Sequence, residues 1–336
     1  MSDLPRVSVL MPCRDAAAHL AEALDSILAQ TFADFELIAV EDGSRDGTGM
    51  LLRRYARRDD RVRVLPAAGA GIVAALRQGL AAARGEIVAR MDADDVADPA
   101  RLDAQLQLLD ADPGLAACGT GVCYFPRAIV RDGARRYERW LNGLTDDAAI
   151  RRDLFVECPI AHPTLAARRS ALEAVDGYQD HGWPEDYDLV LRLAAAGPRL
   201  GNVPAVLHHW RERPDRLSRV DPRYSEEAFR RCRLHHLRPR LDRSDGVVVW
   251  GAGPVGKGYA RALRADGVPL RAFVDLDPRK IGQTIHGAPV VAPAAIDRFR
   301  GAFALAAVAG EGPRRDIRAS LAAAGWREGE EFVAVA

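Results

Sequence analysis

The chain has 336 residues, enough for about two domains at roughly 150 residues each, and at 48% hydrophobic and 28% charged it has the composition of a globular protein. Lys and Arg together number 47, as do Asp and Glu, so the formal net charge is zero. That balance excludes a protein built chiefly to coat nucleic acid or an anionic membrane. The five cysteines are scattered without a CxxC pair, supporting neither a zinc site nor a disulfide framework, and a reducing cytosol is the expected setting. Met1 to Val7 is too short and polar for a signal peptide, and no apolar run reaches the ~20 residues that cross a bilayer. Peripheral association with the inner face of a membrane stays open, as does homo-oligomerisation.

In chain order, Val7 to Met11 is a continuous apolar run, as a parallel strand covered on both faces requires. A helix follows over Ala18 to Ala29, with Leu20, Leu24, Ile27 and Leu28 at helical spacing. Phe35 to Val40, Val62 to Leu65 and Glu86 to Met91 read as further strands, separated by helices at Gly49 to Arg58 and Ile72 to Ala83. This alternation predicts βαβ units in an α/β, doubly wound, mostly parallel sheet. From Asp98 to about Pro222 only two helices stand out, Pro99 to Leu109 and Asp186 to Ala196. A helical connector, Tyr224 to Arg240, precedes Val247 to Trp250, where the alternation restarts and continues through Leu270 to Val274, Phe303 to Val308 and Phe332 to Val335. The expected domains are 1–222, a connector over 223–245, and a small Rossmann-like unit over 246–336.

Ligands of doubly wound sheets bind beyond the carboxyl ends of the strands, and two acidic clusters fall there. Asp92, Asp94 and Asp95 follow the fourth strand; Glu41, Asp42 and Asp46 follow the second. Turns and helix starts favour aspartate on their own. Two anionic loops at one sheet edge, however, call for a cation or for the hydrogen-bond donors of a ligand, and Mg²⁺ or Mn²⁺ is the ion that oxygen ligands suit.

VSVLMPCRD, FELIAVEDGSRDGT and GLAAARGEIVARMDADD, in this order, resemble the inverting glycosyltransferases of family 2, which have the GT-A fold. The resemblance covers about residues 5 to 215. It implies transfer of a sugar from a nucleotide-sugar to a glycan or lipid-linked acceptor, in bacterial cell-surface polysaccharide synthesis, with Mg²⁺ or Mn²⁺ as cofactor. It further implies that Pro12 and Arg14 line the nucleoside pocket with Glu41, that Asp42 contacts the base, and that Asp92 and Asp94 serve ribose and metal. WPEDYDL at 183–189 is similar to the family's "ED" element, which makes Asp186 the catalytic base with Glu185 beside it. His162 falls in the acceptor-side region. His208-His209-Trp210-Arg211 resembles the last motif of the catalytic domain. Adjacent residues of a strand face opposite sides, so one His at most enters the site; His209 is favoured as a metal ligand, and Arg211 as a partner of the diphosphate. The chain departs from the family between Gly69 and Arg77, where Gly69 and Leu76 stand in place of the Asn and Arg often found.

Near the C-terminus Gly251, Gly253 and Gly256 form a GxGxxG between a strand and a helix, and Asp275 ends the next strand 19 residues on. Such glycines permit a tight turn and the approach of a pyrophosphate to the helix. GAGPVGK and FVDLDPRKIGQ make this unit resemble the small Rossmann-like domains of bacterial sugar acyltransferases, which implies a nucleotide site or a scaffold. Two other functions remain to be weighed. One is an NAD-dependent oxidoreductase or nucleotide-sugar-modifying enzyme centred on this unit, although it lacks a Tyr-x-x-x-Lys pair. The other is a non-catalytic nucleotide-sugar-binding scaffold.

Overall fold

The computed structural model describes residues 4–336; Met1–Asp3, the head of the stretch read as no signal peptide, lie outside them. The described chain divides into two compact units, one of residues 4–150, Pro159–His181 and Glu185–Val220, the other of Arg151–Cys158, Gly182–Pro184 and Asp221–Ala336.

The first unit is built on an eight-stranded sheet. Its strands are β1 (Val7–Cys13), β2 (Phe35–Glu41), β3 (Val62–Pro66), β4 (Ile87–Arg90), β5 (Val96–Ala97), β6 (Leu115–Phe125), β7 (Ala166–Arg168) and β8 (Arg199–Arg211). Their spatial order is β3-β2-β1-β4-β7-β6-β8-β5. The pairings β1–β2, β1–β4, β2–β3 and β6–β8 are parallel, while β7 runs against β4 and β6, and β5 against β8. The period of two sends Val7, Val9, Met11, Leu37 and Ala39 into one core, against Leu20, Leu24 and Ile27 of one helix and Leu102, Leu106 and Leu109 of another. On the other face Gly79, in the helix Ile72–Ala82, lets that helix close on the sheet. A Cβ there would meet Val40 Cγ2 at 3.2 Å and Leu10 Cδ2 at 3.4 Å.

The parallel β1–β4 block lies where the apolar runs predict it. Not foreseen are β6 and the first part of β8, the two longest strands of the unit, of which only the His208-His209 end reads as strand in the sequence. LAACGTGVCYF carries little β-branched or aromatic signal, and Gly201, Asn202 and Pro204 make β8 look like loop. The pair tolerates them through register shifts around Gly121, where a Cβ would stand 2.9 Å from the Ala205 carbonyl oxygen.

The second unit has a six-stranded sheet in the order β11-β12-β10-β9-β13-β14. These are β9 (Val247–Trp250), β10 (Leu270–Val274), β11 (Thr284–Ile285), β12 (Ala288–Val291), β13 (Phe303–Ala306) and β14 (Phe332–Ala334). All its pairings are parallel except β11–β12. Val248, Trp250, Ala304 and Phe332 pack with Ile317, Leu321 and Trp326 in its core. The connector helix runs Glu226–Leu241, capped by the Ser225 hydroxyl, which accepts the Ala228 N–H. No helix among the described residues is long and apolar enough to cross a membrane.

Candidate active site

Each acidic loop leaves the carboxyl end of a parallel strand of the first unit. At the end of β2 the Asp42 N–H donates to the Cys13 carbonyl (2.9 Å), tying the loops after β1 and β2 together. The Asp42 side chain is 3% exposed. Its Oδ2 accepts the Gly71 N–H at 3.0 Å and lies 3.6 Å from Arg14 Nη1, while its buried Oδ1 has no hydrogen-bond partner among the described residues. A buried acceptor left so is costly and marks where a ligand's N–H fits. Gly43 lets the loops after β2 and β3 meet: it has φ +69°, and a Cβ on it would stand 3.1 Å from Gly69 Cα. Glu41 is spent locally, Oε1 accepting the Ser44 N–H at 2.6 Å. Pro12 is half-buried in β1, and Arg14 is exposed.

Beyond β4, one carboxylate oxygen from each of Asp92, Asp94 and Asp95 lies within 4.8 Å of the others. Buried Arg90 holds Asp92 at 2.7 Å, and Arg213 holds Asp94 Oδ2 at 3.0 Å. Burial, then Asp95 and Asp92, raise the Asp94 carboxyl to about 7 against the opposing pull of Arg213 and Arg216. Burial, then Asp92, raise Asp95 to about 8. A group of hard oxygen donors crowded to that degree fits Mg²⁺ or Mn²⁺, whose charge would return the carboxyls to their ionised form.

The imidazole expected here is a different one. His209 is exposed, its ring edge-on to Phe125 at 6.3 Å, and stands outside the acidic group. His208 is fully buried, and its Nε2 meets Asp95 Oδ2 at 2.8 Å. Alternation along β8 admits one of the pair, and the core face takes His208. Arg211 is likewise committed within the protein. Its N–H donates to Asp95 Oδ1 (2.7 Å), its Nε to the Asp94 carbonyl (2.6 Å) and its Nη2 to Glu22, with the guanidinium 4.3 Å from the centre of the Phe125 ring. The side chains that pair with the carboxylates beyond β4 are Arg90 on Asp92 and Arg213 on Asp94; the only sequence signal for Arg213 is its place two residues beyond Arg211.

Of the residues expected at the acceptor end, His162 meets the hydroxyl of buried Tyr178. The helix Glu185–Ala195 begins with buried Glu185 and half-buried Asp186, whose Oδ1 accepts the Tyr187 N–H at 2.7 Å. His162 Nε2 lies 2.9 Å from the Tyr178 hydroxyl. Burial foremost raises the Tyr178 phenol, with Glu185, Asp186 and Asp92 adding to it and Arg90 opposing. Arg77 Nε donates to the Tyr178 carbonyl at 2.7 Å, beside an open groove of about 500 Å³ that Leu80, Arg169 and Gln179 also line.

In the second unit a cavity of about 370 Å³ opens at the carboxyl ends of β9, β10 and β13, lined in part by Gly251, Gly253, Asp275, Leu276, Lys280 and Val308. Since β10 and β13 flank β9, it sits where the strand order reverses. Gly256 packs so that a Cβ would fall 1.8 Å from the Gly251 oxygen, whereas a Cβ on Gly253 would meet nothing within 4 Å. Asp275 accepts from the Ala252 N–H (2.8 Å), the Asp277 N–H (2.9 Å) and Lys280 (3.0 Å). Its carboxyl is lowered by these partners in spite of burial.

Residues 8–176 match the family described as Glycosyl transferase family 2. The putative glycosyltransferase EpsE of Bacillus subtilis (strain 168) is 31% identical over 258 residues, 74% of this chain and 88% of that protein. The O-antigen biosynthesis glycosyltransferase WbnJ of Escherichia coli is 30% identical over 242 residues, 71% of this chain and 90% of that protein. Among solved structures, the mannosyltransferase PcManGT from Pyrobaculum calidifontis, in complex with GDP-Man and Mn²⁺, is 25% identical with a TM-score of 0.51; the match covers 70% of this chain and 63% of that one. S. aureus TarS 1-349, in complex with UDP-GlcNAc, shares the fold at 17% identity and a TM-score of 0.56, over 70% of this chain and 67% of that one.

Proposed function

The chain belongs to glycosyl transferase family 2, and on that premise we propose a divalent-metal-dependent, inverting transfer of a sugar from a nucleotide-sugar donor to an acceptor hydroxyl. The observation that carries this reading is the group of three carboxylates within 4.8 Å beyond β4. The acceptor is a glycan or a lipid-linked glycan of the bacterial cell surface, a reading supported by the O-antigen relative. The lipid-linked case places the enzyme at the cytoplasmic face of the membrane. The catalytic domain is taken as 1–222.

The nucleoside lies between the loops after β1 and β2, with Pro12 and Arg14 along it and Asp42 offering its remaining acceptor to an N–H of the base. Asp92 and Asp94 hold the cation and the ribose-diphosphate. When bound, Mg²⁺ or Mn²⁺ supplies the positive charge that a departing diphosphate needs. Asp186 takes the proton of the acceptor hydroxyl as that oxygen bonds to the anomeric carbon. The bond from that carbon to the diphosphate oxygen breaks, its electron pair leaving with the nucleoside diphosphate, and a single in-line displacement inverts the centre. Glu185, buried behind Asp186, fixes the start of the helix, and His162 orients the acceptor side through Tyr178.

Calorimetric titration with UDP, GDP, dTDP and NAD⁺, each with and without Mn²⁺, tests this. One nucleoside diphosphate is expected to bind with Mn²⁺ and to lose at least tenfold in affinity in Asp94→Asn; equal binding by that variant sinks the reading. The crevice of the second unit favours a second ligand, a nucleotide seated at Gly251 and Gly253 over the turn that Gly256 closes, with Lys280 beside its phosphate. The same titration reports it as binding indifferent to both Mn²⁺ and Asp94→Asn. NAD⁺ as the single ligand would instead support the oxidoreductase reading.

A further inference from the structure

Arg101 is the first residue of the helix Arg101–Ala111, a position where arginine is ordinarily solvated, yet it is 0% exposed. Among its partners, Nη1 donates to the Pro163 carbonyl (2.9 Å), Nη2 donates to the Arg90 carbonyl (3.1 Å), and Nη1 also meets His208 Nδ1 at 3.2 Å. No carboxylate contacts this guanidinium directly among the described residues. A guanidinium has donors and no acceptor, so His208 Nδ1 accepts from it. The ring proton of the neutral imidazole then sits on Nε2 and is donated to Asp95 Oδ2 at 2.8 Å. The other oxygen, Oδ1, accepts the Arg211 N–H. Both Asp95 oxygens are thus held by the protein, and Asp94, next in the chain, presents its carboxylate on the cation side with Arg213.

We propose that Arg101 and His208 form a buried positioning relay, in which Arg101 selects the Nε2–H tautomer of His208, His208 fixes Asp95, and Asp95 holds the loop so that the Asp92 and Asp94 oxygens are ready for a divalent cation. The relay rests on the metal-dependent reading above. It also reaches the acceptor side, because the same guanidinium holds the carbonyl of Pro163, next to His162. One buried cation therefore joins the end of β4, the 162–164 turn and β8. Removing an outer-shell partner of this kind typically costs about 10–100-fold in metal affinity.

The test is Mn²⁺ affinity of the full chain, read by electron paramagnetic resonance without nucleotide or acceptor. His208→Phe keeps the ring and removes both nitrogens; its dissociation constant is expected to rise by roughly 10–100-fold. His208→Gln restores a donor toward Asp95 and is expected to recover most of that loss, which a purely space-filling role for the ring would not produce. Nitrogen NMR of the unmodified protein is expected to show His208 protonated on Nε2. Wild-type Mn²⁺ affinity in a folded His208→Phe, no recovery by Gln, or an Nδ1–H tautomer overturns the relay. Should His208→Phe not fold, the Gln variant and the tautomer decide. Mn²⁺ binding that is lost in Asp94→Asn but kept in His208→Phe removes the relay alone. No Mn²⁺ binding by the wild type removes the relay and the metal-dependent reading together.

Discussion

Asp94 and Asp95 are buried carboxyls crowded by further carboxylates, and their chemistry with protons follows from it. Burial, Asp95 and Asp92 raise Asp94 to about 7, and burial and Asp92 raise Asp95 to about 8; Asp94, the carboxyl assigned to the cation, therefore binds extra protons across the range from the ordinary aspartate value near 4 up to about 7. A cation needs the ionised form and must displace those protons. Mn²⁺ affinity is therefore expected to rise with pH from about 5.5 to 8, with about half a proton released from Asp94 per ion near pH 7 and close to one below about pH 6. Calorimetry in buffers of different ionisation enthalpy counts that proton; an affinity flat across the range contradicts the assignment. The residues that carry this chemistry divide sharply in how visible they are. Asp42, Asp92 and Asp94 follow apolar strands and lie in short acidic runs, so their place at the sheet edge is legible in the sequence. Arg101 and His208 are not legible, because a helix-start arginine and one of two adjacent histidines look solvated until the fold buries them.

Glycine spacing in the turn after β9 separates two physical duties that the GxGxxG pattern merges. Gly256 serves packing: its missing Cβ admits the Gly251 carbonyl, and nothing flexible is available to move aside. Gly253 faces open space with φ −89°, a conformation that any residue adopts. Gly256→Ala is expected to destabilise the second unit by ~1–3 kcal/mol, toward the upper end because the clash is with backbone, while Gly253→Ala stays within about 1 kcal/mol of wild type. Urea unfolding curves of the two variants check this, and equal midpoints refute it. The same contrast explains which strands could be read. Continuous apolar runs such as VSVLM and VVVW announce buried parallel strands. The β6–β8 pair interrupts its apolar residues with Gly119, Gly121, Gly201, Asn202 and Pro204, and its length depends on register shifts and close backbone approach, which only the partner strand makes visible.

The second unit is not one continuous stretch of chain, and this bears on where the protein can be cut. Arg151–Cys158 belongs to it: Arg318 holds Asp153 at 2.6 Å and donates to the Arg152 carbonyl, Arg233 donates to the Val156 carbonyl, and Val156 packs against the core of the C-terminal sheet. Hydrophobic periodicity follows neighbours in sequence, so the expected spans 1–222, 223–245 and 246–336 carry no sign of a segment that crosses over. A chain ending at Asp242 would lose β9 to β14 and Arg318. Val156 would then lack the sheet it packs on, and Asp153, 4% exposed in the intact protein, would lose the Arg318 guanidinium at 2.6 Å while keeping that of Arg152 at 3.6 Å. Apolar surface uncovered this way promotes association, and a paired carboxylate stripped of its closer partner destabilises the state that keeps it buried. The shortened chain is expected to bind a hydrophobic dye, to elute as aggregate on size exclusion, and to unfold at a lower temperature than the full chain. A monomer that melts at the full-length temperature would mean that 151–158 refolds onto the first unit by itself. The nucleotide-binding comparison between first and second crevices is therefore better made with point variants of the full chain, Asp94→Asn on one side and a bulky replacement of Gly253 on the other, than by truncation.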